Sequence, residues 1–219
     1  MKPTPATDIH FYPPDQYPKK HQIRVGTLDL LRDETHPTCL WHNGHLTHDW
    51  VELCGDAPDV TCGLLLKEGA IIPGSGRYIG VNRDPDIIRR NSQAYAGDTT
   101  QWVHADILHL LSDLDNPTLH NVGVLVFDAF YSPSNLEQDA ILTPVLTFAR
   151  SQYERLGQFL LVINQAMRGT RSVSLAAART RFAQSIQEYC GIDHIPDSAF
   201  ITYRSRNANM RILRLSFGW

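Results

Sequence analysis

At 219 residues the chain is long enough for one α/β domain with a substantial core, and its length does not call for two. It is 42% hydrophobic and 20% charged, with no apolar run of membrane-span length and a proline-rich, polar amino terminus unlike a signal peptide, so a soluble cytoplasmic protein is expected. The net charge of −3 is unevenly spread: residues 1–149 carry ten Lys plus Arg against nineteen acids (−9), and residues 150–219 ten Arg against four acids (+6), an asymmetry that fits either an anion-facing surface or a solvated helix face.

Pro3, Pro5, Pro13, Pro14 and Pro18 predict an extended arm over residues 1–18, in which Phe11, Tyr12 and Tyr17 either dock on the domain or belong to a loose leader. Residues 24–34 read as a short amphipathic helix carrying Leu28, Leu30 and Leu31. In CLWHNGHLTHDW, His42, His45 and His48 recur every third residue after Cys39. Zinc ligands come as closely spaced pairs from different elements, and Asn43-Gly44 is a turn signal, so a hairpin is expected here and no metal site. Four cysteines without a CxxC pair fit a reducing compartment.

Trp50–Cys54 has the pattern of a short buried strand and stops at Gly55. A helix entered at Pro58 or Asp59 and ended by Gly69 follows, with Leu64, Leu65 and Leu66 as its apolar content. Pro73, Gly74 and Gly76 make a turn into a second strand, Arg77–Val81. Strand, loop, helix and strand in under forty residues is a βαβ unit with parallel strands, whose carboxyl edge is where open α/β folds bind ligands. PDIIRRNSQAY is the next helix, with Pro85 in its first turn. Thr100–Val103 is the third strand, ending at His104-Ala105-Asp106, and Asp106 is placed to cap the helix ILHLLSDL.

Val122–Phe127 is a continuous apolar strand of the kind a parallel sheet buries on both faces. It runs into Asp128, Phe130 and Tyr131. A helix capped by Ser134 or Asn135 runs to Leu156 and is closed by Gly157, and a fifth strand, Gln158–Asn164, follows. Arg168 and Arg171 come directly after that strand, on the ligand side, where they either meet a ligand or serve carbonyls and solvent. LAAARTRFAQSIQEYCG is the last helix, and two strands about Asn207-Ala208-Asn209 form a terminal hairpin.

This order of elements, with Glu52 on the first strand, GVNRDP at the second tip, the HAD of His104–Asp106 and the VLVFDAF of Val124–Phe130, resembles the class I, Rossmann-like S-adenosylmethionine-dependent methyltransferases. The likeness covers roughly residues 47–219, behind an arm and leading helix over residues 1–46. It implies a three-layer α/β sandwich with a mainly parallel seven-stranded sheet and a carboxyl-terminal antiparallel hairpin strand, an ending that a dehydrogenase domain lacks. The Gly-rich loop is degenerate: Cys54, Asp56 and Pro58 stand where the family has glycines, Gly55 is one position off, and Asn82 replaces the acid of the second tip.

The resemblance implies that S-adenosylmethionine lies across the first three strand tips. Glu52, Cys54, Gly55 and Asp56 would surround its amino acid end, Asn82 and Asp84 its ribose, Asp106 and Ile107 its adenine. Asp128, with Tyr131, is the candidate for orienting an acceptor or taking its proton. Phe130, Arg168 and Arg171 would receive an anionic substrate, RNA or DNA among the classes that fit. The same residues are compatible with a second expectation, a binding module that keeps the fold without the catalysis.

Overall fold

The computed structural model describes residues 18–32, 39–54, 60–127, 139–166, 180, 183–184, 186–188, 200–204 and 209–217. Seven strands form one sheet: β3 (Asp49–Leu53), β4 (Tyr78–Asn82), β5 (Thr100–His104), β6 (Val122–Phe127), β7 (Phe159–Ala166), β8 (Phe200–Arg204) and β9 (Asn209–Phe217). Their order across it is β5-β4-β3-β6-β7-β9-β8. The first five are mutually parallel, and β9 runs antiparallel to both β7 and β8. This is a doubly-wound arrangement with an antiparallel strand inserted next to its last member, unlike the dehydrogenase order, which continues without one. The expected pairing of the first two strands is present, with Trp50 opposite Tyr78 and Leu53 opposite Val81.

Helices cover both faces. On one, α4 (Ile107–Ser112) and α5 (Asp139–Leu156) pack on Val51, Ile79, Leu125, Phe127 and Leu161. On the other, α1 (Pro18–Arg32), α2 (Val60–Lys67) and α3 (Pro85–Ala94) lie over Trp50, Tyr78, Val124, Val126 and Leu160. The alternation along β3 decides this split, since successive side chains leave a strand on opposite faces. Trp50 and Glu52 therefore look toward α1 and α2, while Val51 and Leu53 look toward α4 and α5. All six residues of β6 are buried, as its unbroken apolar run requires.

Three local expectations need correction. The leading helix begins at Pro18, within the segment expected to be extended, because a proline in the first helical turn has no N–H to lose. The second helix, described over Val60–Lys67 with its expected entry at Pro58 or Asp59 outside the described residues, turns Leu64 and Leu65 inward while Leu66 is 37% exposed, since three consecutive positions span too much of a helical turn to share one face. The fifth strand starts at Phe159 and runs on to Ala166, held by β9 along its whole length. The His-rich segment is a hairpin, with β1 (Trp41–His42) paired to β2 (His45–Leu46). Asn43 and Gly44 both have positive φ, 51° and 87°, as a two-residue primed turn demands. Its histidines go to separate partners: His45 Nδ1 meets the Gly69 carbonyl at 2.6 Å, His48 Nδ1 the Thr47 hydroxyl at 2.7 Å, and His42 is exposed.

At the amino edge of the sheet, buried Asp49 accepts from the Arg77 backbone N–H (2.8 Å) and from its Nη2 (2.7 Å), tying β3 to the start of β4. Gly76, just before, lies so close to the backbone of His48 that a Cβ there would stand 2.0 Å from the His48 carbonyl oxygen. Only glycine permits that approach. Among the described residues, no helix is long and apolar enough to cross a membrane.

Candidate functional site

β3 pairs with β4 on one side and β6 on the other, so the direction of winding reverses there and a crevice opens outside the carboxyl ends of these strands. Three hydrogen bonds draw the tips of β3, β4 and β5 into one ledge. The Cys54 N–H donates to the Val81 carbonyl (3.0 Å), the Asn82 side-chain Nδ2 donates to the Cys54 carbonyl (2.6 Å), and the Ala105 N–H donates to the Asn82 carbonyl (3.1 Å). Asn82 is thus the stitch of the ledge. Its Oδ1 also accepts the Asp84 N–H at 2.8 Å, so both ends of its amide already have protein partners.

The two aspartates on this ledge behave alike. Asp84 caps α3, its Oδ1 accepting the N–H groups of Asp86 (2.9 Å) and Ile87 (3.4 Å). Asp106 caps α4, its Oδ1 accepting those of Leu108 (2.9 Å) and His109 (3.4 Å). Each cap uses one carboxylate oxygen. The Oδ2 of both has no partner among the described residues, and both side chains are exposed. Two carboxylate oxygens on neighbouring strand tips can accept hydroxyl or amino donors from a bound molecule. Ile107, next to Asp106, is buried at the start of α4. Beside them His104, exposed at the tip of β5, has its Nε2 3.0 Å from the Arg83 carbonyl.

Glu52 stands apart from this ledge. It is 1% exposed and turned under α1 and α2, where Arg24 Nη2 lies 2.7 Å from its Oε1 and the Trp50 indole Nε1 donates to its Oε2 at 3.3 Å. Arg24 Nε also donates to the Thr61 hydroxyl in the first turn of α2. Both oxygens of Glu52 are therefore engaged by protein. Glu52 is legible in the sequence and Arg24 is not, because the leading helix announces itself there by its leucines. The only local signal was a basic residue next to an apolar stripe. Cys54 is buried behind the ledge. Gly55, Asp56, Asp128, Phe130, Tyr131, Arg168 and Arg171 lie outside the described residues, and so do the Gly-poor loop and the turn of the terminal hairpin. Among the described residues, no three His, Cys, Asp or Glu side chains are grouped so as to hold a metal ion.

No protein-family model and no curated protein sequence matches the chain. Solved structures do resemble it. The N-methyltransferase NodS from Bradyrhizobium japonicum is 16% identical over 94% of this chain and 99% of its own, with a TM-score of 0.48. Human methyltransferase-like protein 13, solved in complex with SAH, is 14% identical over 90% and 82%, with a TM-score of 0.49. The fibrillarin pre-rRNA processing protein of Methanococcus jannaschii is 11% identical over 79% and 68%, with a TM-score of 0.40.

Proposed function

We propose that the chain is an S-adenosylmethionine-dependent methyltransferase of the class I kind, which binds its cofactor along the carboxyl edge of β3, β4 and β5 and presents the methyl group toward the end of β6. The observation that carries this reading is the pair of capping aspartates at neighbouring strand tips, each with one carboxylate oxygen left over. Asp84 Oδ2 suits a ribose hydroxyl and Asp106 Oδ2 an adenine amino group, with the Ile107 backbone beside it. The antiparallel β9 favours the methyltransferase pattern over the dehydrogenase one. Asn82 then supports the ledge, and its remaining capacity toward a ribose is one side-chain N–H and one carbonyl lone pair.

The amino acid end of the cofactor falls to Cys54, Gly55 and Asp56, with Glu52 behind them. Bound there, the cofactor supplies an electrophilic methyl group, and the protein has to align the acceptor with it. Asp128 follows Phe127, the last residue of β6, and is assigned to orient the acceptor or take its proton, with Tyr131 three positions on. Phe130, Arg168 and Arg171 are assigned to an anionic acceptor, with RNA and DNA the first classes to test. The test is transfer of a labelled methyl group from S-adenosylmethionine to RNA, DNA and small anions. Incorporation is expected, and Asp128→Asn should lower it roughly a hundredfold, the scale of a lost acid–base group.

One observation favours a second reading, a binding module without catalysis: every side-chain polar atom of Glu52 and Asn82 already has a protein partner. Cofactor binding with no incorporation into any acceptor class would support it.

A further inference from the structure

Helix α1 is fastened at its middle and at its end to the elements of the sheet face it covers. Arg24, at its middle, meets Glu52 on β3 and Thr61 in the first turn of α2. Arg32, its last residue, meets Glu68 just beyond the end of α2 at 3.1 Å and stacks over Trp41 at 5.0 Å from the ring centroid. The two helices therefore run side by side in the same direction. Between these points Leu28 and Leu31 are buried against the cluster around Trp50.

The two fastenings differ in kind. The Arg32–Glu68 pair is a third exposed on both sides, where solvent and salt weaken it. Arg24 and Glu52 are 15% and 1% exposed, so neither can be released to water without desolvated charge being left behind. Glu52 also donates nothing to the outer ledge: it faces α1, and the strand position after next on its own side is Cys54, whose backbone is bonded to Val81 and Asn82. Arg24 thus grips β3 two residues short of the ledge and α2 at its first turn, the two elements between which the proposed cofactor's amino acid end would lie.

We propose that Arg24 is a positioning residue of this edge, one that makes docking of α1 and occupancy of the ledge a single linked equilibrium. This rests on the cofactor reading above. Ligand bound at the ledge favours the arrangement of β3 and α2 that Arg24 grips, and by reciprocity docked α1 favours the ligand. A helix that merely covered apolar surface would leave ligand affinity untouched.

The test is calorimetric titration of the full chain with S-adenosylhomocysteine, together with amide hydrogen exchange of α1 with and without it. In the unaltered protein the ligand is expected to slow exchange in α1, and Arg24→Gln to weaken binding by about tenfold, within the usual range of coupling between sites. If Arg24→Gln does not fold, Arg24→Lys, which keeps a charge beside Glu52 but replaces the guanidinium fork by a single ammonium, makes the same comparison. Equal affinity in the variant, or exchange in α1 indifferent to ligand, overturns the proposal while leaving the cofactor reading intact. Tighter binding overturns it too, because Arg24 would then be competing with the ligand for Glu52. Absence of binding to the unaltered protein sinks the cofactor reading, and this proposal with it.

Discussion

Arg24 and Glu52, 28 positions apart in the chain, form a buried ion pair with 2.7 Å between Nη2 and Oε1. The pair joins the leading helix to the first parallel strand, one of the two that flank the topological reversal. Burying two charges gains little over an apolar pair of the same shape, but removing one partner strands the other.

Stability of single and double variants should show that asymmetry. Arg24→Met is expected to lower the unfolding free energy by about 3 kcal/mol, the lower end of the range for breaking a buried pair. Adding Glu52→Gln should recover most of that loss. Urea unfolding at neutral pH measures both. Additive losses in the double variant would mean that the two side chains are not energetically coupled.

Asp106 caps α4 and is proposed to meet the adenine, and two substitutions separate these roles. Asp106→Asn keeps a capping oxygen and should leave stability nearly unchanged, whereas Asp106→Ala should cost about 1 kcal/mol. If Oδ2 also receives the adenine amino group, both Asp106→Ala and Asp106→Asn should weaken S-adenosylhomocysteine binding by about tenfold, the equivalent of one good hydrogen bond, because an Asn that keeps its oxygen on the cap turns an N–H donor toward the amino group. Unchanged affinity in the alanine variant reduces Asp106 to a helix cap.

His48 ties stability to pH. Burial holds its imidazole below the ordinary 6.5, and neighbouring Asp49 offsets this only in part. Between the lowered native value and 6.5 the unfolded chain binds more protons, so stability rises with pH in that window. His48 contributes fully above 6.5, and its contribution is lost as pH falls through the native value. His48→Gln should therefore flatten the slope of unfolding free energy between pH 7.5 and 5, as followed by urea titrations across that span. Parallel slopes in the two proteins would rule out this source of acid sensitivity.

Much of the scaffold is legible in the sequence because it is written in local patterns. The unbroken apolar run of β6, the Asn43-Gly44 turn, Pro85 in the first turn of α3 and the capping position of Asp106 each follow from neighbours within a few residues. The parallel pairing of β3 with β4 follows from the helix that connects them. What was not legible depends on partners far apart in the chain. Nothing near Glu52 announces Arg24, and nothing near Asn82 announces that its amide would be taken by the Cys54 carbonyl. The start of α1 at Pro18 was missed for another reason: proline excludes a helix interior but not its first turn. Asp84 was read as a ribose contact without its cap, although Asp before Pro at a helix start carries that signal.

The central claim is that the ledge formed by Cys54, Asn82, Asp84 and Asp106 binds S-adenosylmethionine. Thermal unfolding of the full chain against increasing S-adenosylhomocysteine tests it most directly, with NAD as the contrasting ligand. At roughly 100 times the dissociation constant a single native-state site adds about 2.7 kcal/mol, which for a chain of this size raises Tm by roughly 5–10 °C. The account predicts a rise of that order that grows with S-adenosylhomocysteine and is absent with NAD. A melting temperature unmoved by millimolar S-adenosylhomocysteine, or moved equally by NAD, would contradict it.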